Sequence, residues 1–227
     1  MSEHNIRTIN MYNSGGACEY IKRSEIDPET EKWEKLFKYI EDSLFNDKTK
    51  KIIEFGSGCG ELAFLLQSAG YDVIATDIVD EFLKEQNRIG INKVKKYNFL
   101  LDNFDENFNF KADLIISWRN PHLDMDDMRK LFDVAYNGLT DNGLLIINFQ
   151  NADVHPDASV LPNGTKYEYK VLEDKPTKEK RFYAYFNKED IEYLRKDLFE
   201  IEEYHNEGGK EQKNWHVLTL RKKQILK

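Results

Sequence analysis

The sequence has few cysteines, no long apolar run and fewer basic than acidic residues. Its two cysteines, Cys18 and Cys59, have neither metal-ligand spacing nor the density of a secreted disulfide framework. Residues 1–16 lack a basic segment followed by an apolar core, and no stretch contains 18 consecutive apolar residues. We therefore expect a cytoplasmic protein that neither carries such an export signal nor spans a membrane.

Acidic residues dominate the charge of the chain. The formal net charge is −8, with 33 lysine and arginine residues against 41 aspartate and glutamate residues. General binding to nucleic acid is disfavoured, because it relies on positive charge that neutralises phosphates. At 227 residues and 40% hydrophobic content, the chain is long enough for one well-buried domain with some additional elements.

Residues 50–62, which read K-K-I-I-E-F-G-S-G-C-G-E-L, have the layout of a strand, a tight turn and the start of a helix. Gly56, Gly58 and Gly60 tolerate positive φ and lack a Cβ, so a ligand can approach the backbone and the free N–H groups of the helix. Glu54 precedes the turn, where its carboxylate would repel a pyrophosphate and attract an ammonium group. The pattern predicts a nucleoside that carries an amino acid.

Strand and helix patterns alternate after this turn. Strands are predicted over 71–76, 94–101, 112–117 and 144–149, and helices over 61–69, 79–88 and 125–139. This order predicts an α/β, Rossmann-like fold, with a mostly parallel seven-stranded sheet and helices on both faces. The last two strands, 199–205 and 215–220, are joined without a helix and should form an antiparallel hairpin. We expect the ligand at the carboxyl ends of the strands, beside the first strand.

Two regions depart from this pattern. Residues 1–45 are predicted to be an N-terminal arm, without sustained periodicity over 1–26, followed by a helix that Asp27-Pro28-Glu29 begins. The arm could be a lid over the ligand site or a disordered terminus. Residues 46–227 form the predicted main domain. Within it, residues 150–186 are irregular and contain two alternating runs, 166–172 and 180–186, that could pair as a hairpin.

The motifs I-I-E-F-G-S-G-C-G-E-L, V-I-A-T-D, L-L-D-N-F and A-D-L-I-I-S together resemble those of the class I S-adenosylmethionine-dependent methyltransferases. The resemblance covers roughly residues 50–221, and residues 180–204 are similar to the final helix and strand of the small-molecule branch. It implies an enzyme that binds S-adenosylmethionine, transfers its methyl group by in-line displacement and releases S-adenosylhomocysteine. Residues 150–186 would then be an insertion on the acceptor side.

The resemblance also implies which residues bind the cofactor. They are Glu54, Gly56, Gly58, Gly60, Asp77, Ile78, Asp102, Asn103 and Ser117. The glycines would lie along the methionine part, whose ammonium group Glu54 would orient. Asp77 would accept hydrogen bonds from both ribose hydroxyls, Ile78 would pack on the adenine, and Asp102, with the backbone of the next residue beside it, would bind the adenine amino group. Alternatively, Glu54 caps a helix, and the two aspartates are ordinary turn residues.

The acceptor side offers three candidate catalytic residues. His122 is the first candidate for a general base, because an imidazole titrates near neutral pH, and His155 is the second. Arg119 could clamp a phosphate or carboxylate in bidentate fashion. Alternatively, His122 is a loop histidine bonded to the backbone, and Arg119 is a surface residue paired with one of the aspartates at 124, 126 and 127. Those aspartates are expected to complement a helix dipole, and no metal is predicted.

Three aromatic residues are predicted to bind the acceptor: Trp118, Tyr12 and Tyr20. The predicted acceptor is a small metabolite methylated on oxygen or nitrogen. An anionic one, such as a sugar, a sugar nucleotide or a phosphate-bearing intermediate, is favoured because of Arg119 and His122. The alternatives are a methyltransferase for RNA or for a protein side chain, and a catalytically silent cofactor-binding protein. The sequence predicts no membrane partner and no particular oligomeric state.

Overall fold

The computed structural model describes residues 1–26, 30–44, 46–171, 180–207 and 215–224. Its strands are β1 (Lys51–Phe55), β2 (Asp72–Asp77), β3 (Val94–Lys96), β4 (Ala112–Ser117), β5 (Leu139–Gln150), β6 (Ser159–Val160), β7 (Lys166–Val171), β8 (Lys180–Tyr185), β9 (Phe199–Glu207) and β10 (Trp215–Lys222). The central sheet has the order β3-β2-β1-β4-β5-β10-β9. Strands β1 to β5 pair in parallel, whereas β10 runs antiparallel to β5 and β9, so the predicted sheet and its C-terminal hairpin are confirmed.

Helices cover both faces of this sheet. They are α1 (Glu3–Met11), α2 (Ala17–Ile26), α3 (Thr30–Ser43), α4 (Glu61–Ser68), α5 (Asp80–Arg88), α6 (Phe104–Asn107), α7 (Met125–Gly138) and α8 (Lys188–Arg195). Leu36 of α3 and Leu62 of α4 belong to the apolar core on one face, while Leu131 of α7 and Leu194 of α8 belong to the core on the other. Burial from both sides explains why the central strands are continuous apolar runs instead of alternating ones.

The N-terminal arm is helical, so the expectation of an irregular segment over residues 1–26 is wrong. Helix α1 is joined to α2 by a π-helical turn, Tyr12–Gly16, in which Gly15 has φ 112°. The buried residues of α1 are Asn5, Thr8 and Met11, at helical spacing. Because two of the three are polar, a search for apolar periodicity does not detect this face. The predicted helix start at residues 27–29 lies outside the described residues.

Two strands differ from their predicted limits. Strand β3 ends at Lys96, and a turn follows in which the N–H groups of Leu101 and Asp102 both donate to the carbonyl of Asn98. Strand β5 begins at Leu139, five residues before its predicted start, and its register against β4 shifts between Ala112 and Leu114 of β4.

The insertion forms a second sheet. Strands β6, β7 and β8 pair antiparallel in that order, so the predicted hairpin is confirmed. The segment leaves and rejoins the central sheet at one point, where Phe186 N donates to Gln150 O at 2.8 Å and Ala152 N donates to Phe186 O at 3.1 Å. The arm packs on this sheet, since the ring of His4 stacks on Phe182 with centroids 4.3 Å apart. Every described helix is too short or too polar to cross a membrane.

Candidate functional site

A cavity of about 730 Å³ opens at the carboxyl ends of β1, β2 and β4. The arm, the segment after β4 and strands β7 and β8 complete its walls. Eleven residues predicted from the sequence line it, namely Tyr12, Tyr20, Glu54, Gly56, Gly58, Asp77, Ile78, Trp118, Arg119, His122 and His155. Four others, namely Gly60, Asp102, Asn103 and Ser117, are absent from its described lining.

The glycine turn is tied to the end of β2 by Asp77. Gly56 and Gly58 have φ values of 69° and 55°, which favour glycine. One carboxylate oxygen of Asp77 accepts the N–H of Gly58 at 2.9 Å, and the other accepts the N–H groups of Ile78 and Val79 at 2.7 and 2.9 Å. Burial raises the pKa of Asp77 to about 6, although these hydrogen bonds oppose the shift. The carboxylate is therefore ionised at neutral pH and holds the turn in place.

Glu54 places a carboxyl group in the cavity wall at the end of β1. It is 3% exposed, and its Oε2 has no hydrogen-bond partner among the described residues. Burial raises its pKa well above the usual range, and the charges of Glu61 and Asp77 add to this shift. Burying such an oxygen without a partner costs free energy. A ligand ammonium group would supply the missing donors, so this residue fits a cofactor with an amino-acid end.

Gly60 serves packing instead of lining the cavity. It precedes α4 with φ 86°, and a Cβ there would lie 2.5 Å from Cδ1 of Ile91 and 2.9 Å from Cγ of Gln86. Ser117 is also buried, and its Oγ accepts a hydrogen bond from Nδ2 of Asn120 at 2.9 Å. Gly60 thus leaves room for Ile91 and Gln86, Ser117 helps to fix Asn120, and the cofactor contacts predicted for both residues stay predictions.

Asp102 and Asn103 lie beyond the part of the chain that forms the wall. Both are exposed, Asp102 accepts the N–H of Asn98 at 2.7 Å, and Asn103 caps the N-terminus of α6. The wall is formed by residues 98–100 instead. Because β3 ends five residues before its predicted end, an earlier part of the chain lines the cavity, and binding of the adenine by Asp102 and Asn103 stays a prediction.

His122 follows β4 and lines the acceptor side of the cavity. Its Nδ1 lies 2.6 Å from the carbonyl oxygen of Phe182. Because a carbonyl only accepts, Nδ1 carries the proton and the lone pair resides on Nε2. Burial lowers the pKa of His122 to about 4, with a further lowering by the charge of Arg181. The imidazole is therefore neutral at pH 7. This contact agrees with the alternative of a loop histidine bonded to the backbone, and the role of His122 as a general base stays a prediction.

Arg119 and Trp118 continue the same wall. Arg119 has φ 58°, its N–H donates to Oδ1 of Asn148 at 2.7 Å, and its guanidinium lies 6.0 Å from the ring centre of Trp33. Trp118 is 6% exposed, and its Nε1 has no partner among the described residues. A positive φ at a residue other than glycine is strained, and such conformations cluster at functional sites.

The aspartates that follow act within the fold. Asp124 caps α7 by accepting the N–H of Asp127 at 3.0 Å. Asp127 in turn accepts the N–H of Ser2 at 2.9 Å, which fixes the beginning of the arm.

Aromatic residues of the arm and a second histidine close the cavity. Tyr12 and Tyr20 both pack on Phe82, with ring centroids 5.3 and 5.9 Å apart. His155 stacks on Tyr185 at 3.8 Å, and burial, together with the charge of Lys170, lowers its pKa. The arm thus forms a roof over the cavity, and its movement as a lid stays a prediction.

Sequence reasoning missed Arg181 as a site residue. It lies in β8, is 7% exposed and lines the cavity, and its guanidinium lies 5.2 Å from the ring centre of Tyr12. Arg181 and Tyr183 point to the cavity, whereas Phe182 between them belongs to the core. The alternating pattern of β8 could have identified Arg181, because it places this basic residue on the same face of the strand as the aromatic Tyr183.

Solved structures share this architecture. The magnesium protoporphyrin IX methyltransferase of Synechocystis PCC 6803, with bound S-adenosylmethionine, is 14% identical, with a TM-score of 0.68 and 98% of both chains covered. The N-methyltransferase NodS of Bradyrhizobium japonicum, with S-adenosylhomocysteine, is 14% identical, with a TM-score of 0.62 and coverage of 89% of this chain and 91% of that chain. The CcbJ methyltransferase of Streptomyces caelestis is 15% identical, with a TM-score of 0.58 and coverage of 77% and 84%.

No protein-family model and no curated protein sequence matches the chain. Structural similarity at these identities establishes the fold. The chain therefore has the fold of the class I S-adenosylmethionine-dependent methyltransferases, as the resemblance of its motifs implied.

Proposed function

We propose that this protein is an S-adenosylmethionine-dependent methyltransferase that methylates oxygen or nitrogen of a small molecule. Glu54 carries the proposal, because its buried Oε2 has no partner among the described residues and lies in the wall of a cavity beside a glycine turn. Two similar solved structures, the magnesium protoporphyrin IX methyltransferase and the N-methyltransferase NodS, contain this cofactor or its product.

We call the part of the cavity formed by residues 54–58 and 77–79 the donor end. Here Glu54 would bind the ammonium group of the cofactor, and the backbone of Gly56 and Gly58 would lie beside its methionine part. Asp77 would accept hydrogen bonds from the ribose hydroxyls, and Ile78 would pack on the adenine. Residues 98–100, which line the same region, would replace Asp102 in binding the adenine.

We call the part formed by Tyr12, residues 118–123 and strands β7 and β8 the acceptor end. S-adenosylmethionine, when bound, supplies a methyl group on a positively charged sulfur, which makes that methyl electrophilic. At the acceptor end, Nε2 of His122 would take the proton from the hydroxyl or amine that is methylated. The hydrogen bond from Nδ1 to Phe182 O keeps the imidazole in the required tautomer. The buried walls, including Trp118, exclude competing water.

Calorimetric titration with S-adenosylhomocysteine tests the cofactor assignment. The wild-type protein should bind, and Asp77→Ala should bind about 100-fold more weakly, because it removes charge-assisted hydrogen bonds of about 1.5–3 kcal/mol each. Asp72→Ala is the matched control, since Asp72 begins the same strand and pairs with Lys93 at 2.5 Å, and it should bind like the wild type. An absence of heat, or equal affinity in Asp77→Ala, would contradict the assignment.

Transfer of a labelled methyl group into separated metabolite, RNA and protein fractions tests the reaction. Labelling of the metabolite fraction is expected. Labelling of RNA or protein alone would favour a macromolecular acceptor, and cofactor binding without any transfer would favour a catalytically silent protein.

A further inference from the structure

The two ends of the cavity carry opposite charge. Glu54 and Asp77 line it at the donor end, with Glu61 close to Glu54, whereas the pair Lys170 and Arg181, on β7 and β8, lines it at the acceptor end together with Arg119. The acidic end suits the positively charged cofactor. The basic end would not stabilise the cofactor, because nearby cations repel its positively charged sulfur. The basic residues therefore require a different ligand.

Arg181 is the unusual member of the basic pair. Its Nη2 is buried without a hydrogen-bond partner, and no carboxylate of the described residues forms an ion pair with it. Its Nε donates to the sulfur of Met11 at 3.1 Å, and a thioether is only a weak acceptor. Arginine is rarely buried unless an anion or several acceptors satisfy it. Its Nη2 thus has donor capacity that an oxyanion in the cavity could use.

Lys170 differs because its charge is already compensated. Its Nζ lies 3.4 Å from Oε2 of Glu168 and faces the rings of Tyr183 and Tyr185, at 5.5 and 5.4 Å. It contributes positive potential to the acceptor end, while its own ion pair is made within β7. Lys170 on β7, which forms an ion pair, can thus be compared with Arg181 on the neighbouring strand β8, which forms none with the described residues.

We propose that Arg181 binds an oxyanion of the methyl acceptor, a carboxylate or a phosphate. The inference rests on the proposed function only in that it assigns this anion to the methyl acceptor. The terminal nitrogens of a guanidinium match the two oxygens of such a group in bidentate fashion. His122 bonds to the carbonyl of Phe182, the residue next to Arg181 in β8. Residues 181 and 182 of β8 would thus fix both the anion, through Arg181, and the imidazole that takes the proton, through the carbonyl of Phe182. This arrangement suits a small methyl acceptor whose reacting group lies near its charged group.

A purely structural role is the competing explanation. Arg181 contacts Met11 and Tyr12, so it could serve only to hold the arm on β8. That role predicts no preference for charged ligands, whereas the proposed role does. The experiment therefore compares ligands that differ in charge alone.

The test is a titration of the full chain, saturated with S-adenosylhomocysteine, with benzoate, phenyl phosphate and the neutral analogue benzamide, followed by NMR. Benzoate or phenyl phosphate should bind in the millimolar range, and benzamide at least about tenfold more weakly. The anion that binds better identifies the acceptor group as a carboxylate or a phosphate. Arg181→Met should lose about tenfold in anion affinity, Arg181→Lys should lose less, and Arg129→Met, at an exposed site outside the described cavity lining, should change it little. Affinity for S-adenosylhomocysteine should stay the same in all three.

Equal binding of benzamide and benzoate, no binding of either anion, or unchanged anion affinity in Arg181→Met would overturn the proposal. If Arg181→Met does not fold, the comparison of charged and neutral probes on the wild type decides alone. If the wild type does not bind S-adenosylhomocysteine, the proposed function fails. The same titrations without it then still decide whether Arg181 binds an oxyanion.

Discussion

The donor end of the cavity comes mainly from the ends of two consecutive strands, whereas the acceptor end is assembled from segments far apart in sequence. Residues 54–58 and 77–79 follow consecutive strands of the central sheet, and their polar groups are largely backbone N–H groups and carboxylates. The acceptor end combines the arm, the segment after β4 and the second sheet, and it relies on aromatic and basic side chains. Under the proposed function, binding of the methyl donor would therefore depend on backbone shape, and choice of the acceptor would depend on tertiary packing.

Gly56→Ala should have the largest effect, because it disturbs the donor end and its junction with the acceptor end. A Cβ at this residue would lie 2.7 Å from Oδ1 of Asn120, and its φ of 69° strains any other residue. Asn120 holds the junction by donating to Phe55 O at 3.1 Å. We expect a loss of more than about 100-fold in affinity for S-adenosylhomocysteine and a fall of about 1–2 kcal/mol or more in the free energy of unfolding.

Gly70→Ala separates these two effects. Gly70 also has a positive φ, 93°, but nothing lies within 4 Å of an added Cβ, and it is remote from the described cavity lining. This variant should lose only about 1 kcal/mol of stability and no affinity. Equal affinity losses in both variants, measured by calorimetry and urea unfolding, would show that the cavity has no special role.

His122→Asn should affect the acceptor end alone. The amide can still donate to Phe182 O but lacks Nε2, so methyl transfer should fall about 100-fold while affinity for S-adenosylhomocysteine is retained. His205→Asn is the control, since His205 is 46% exposed and remote from the described cavity lining. If His122→Asn retains its turnover, another group must take the proton, and the proposed role of His122 is contradicted.

The same variant tests how the stability of the protein depends on acidic pH. The folded protein lowers the pKa of His122 from 6.5 to about 4, so between these values the unfolded state binds more protons. The contribution of His122 to stability is therefore present above about pH 6.5 and is lost as the pH falls towards 4. His122→Asn should lack this loss in urea unfolding measured across that range, and an unchanged slope would contradict the burial of a neutral imidazole.

Glu54→Gln should have the smallest effect on binding. The amide oxygen still accepts a hydrogen bond from the ammonium group, so we expect about tenfold weaker binding of S-adenosylhomocysteine. The ligand-free variant should be more stable at neutral pH, because it buries no carboxylate. Calorimetry and urea unfolding measure the two effects, and Glu106→Gln, at an exposed site on α6, should show neither.

The pH dependence follows from the same burial. Because folding raises the pKa of Glu54 and Asp77, the folded state binds more protons than the unfolded state above their usual pKa values. The free energy of unfolding should therefore fall as the pH rises. The contribution of Asp77 should be lost between about pH 4 and 6, and Glu54→Gln should remove the contribution of Glu54, so that the total fall is smaller. A variant with the wild-type slope would show that Glu54 is not buried as a carboxyl group.

Local sequence predicts the glycine turn well because each of its features lies within a few residues. The strand, the glycines and Glu54 are contiguous, and the alternation of strands and helices predicts the central sheet. The arm was missed because the buried face of α1 includes Asn5 and Thr8, which no hydrophobic pattern identifies. Arg181 was missed because its burial arises only when the arm packs on β8, and Asp102 lies outside the described cavity lining because β3 ends early.

The junction between the second sheet and the central sheet has a consequence for how this protein could be redesigned. Residues 151–186 begin and end at the hydrogen bonds that join Phe186 to Gln150 and Ala152, so the segment departs from the central sheet and returns to it at a single junction. Arg181, Lys170 and His155 all lie inside it. Under the proposed function, these three acceptor-end side chains would thus belong to one module, which recombination could replace while the central sheet and the glycine turn remain unchanged.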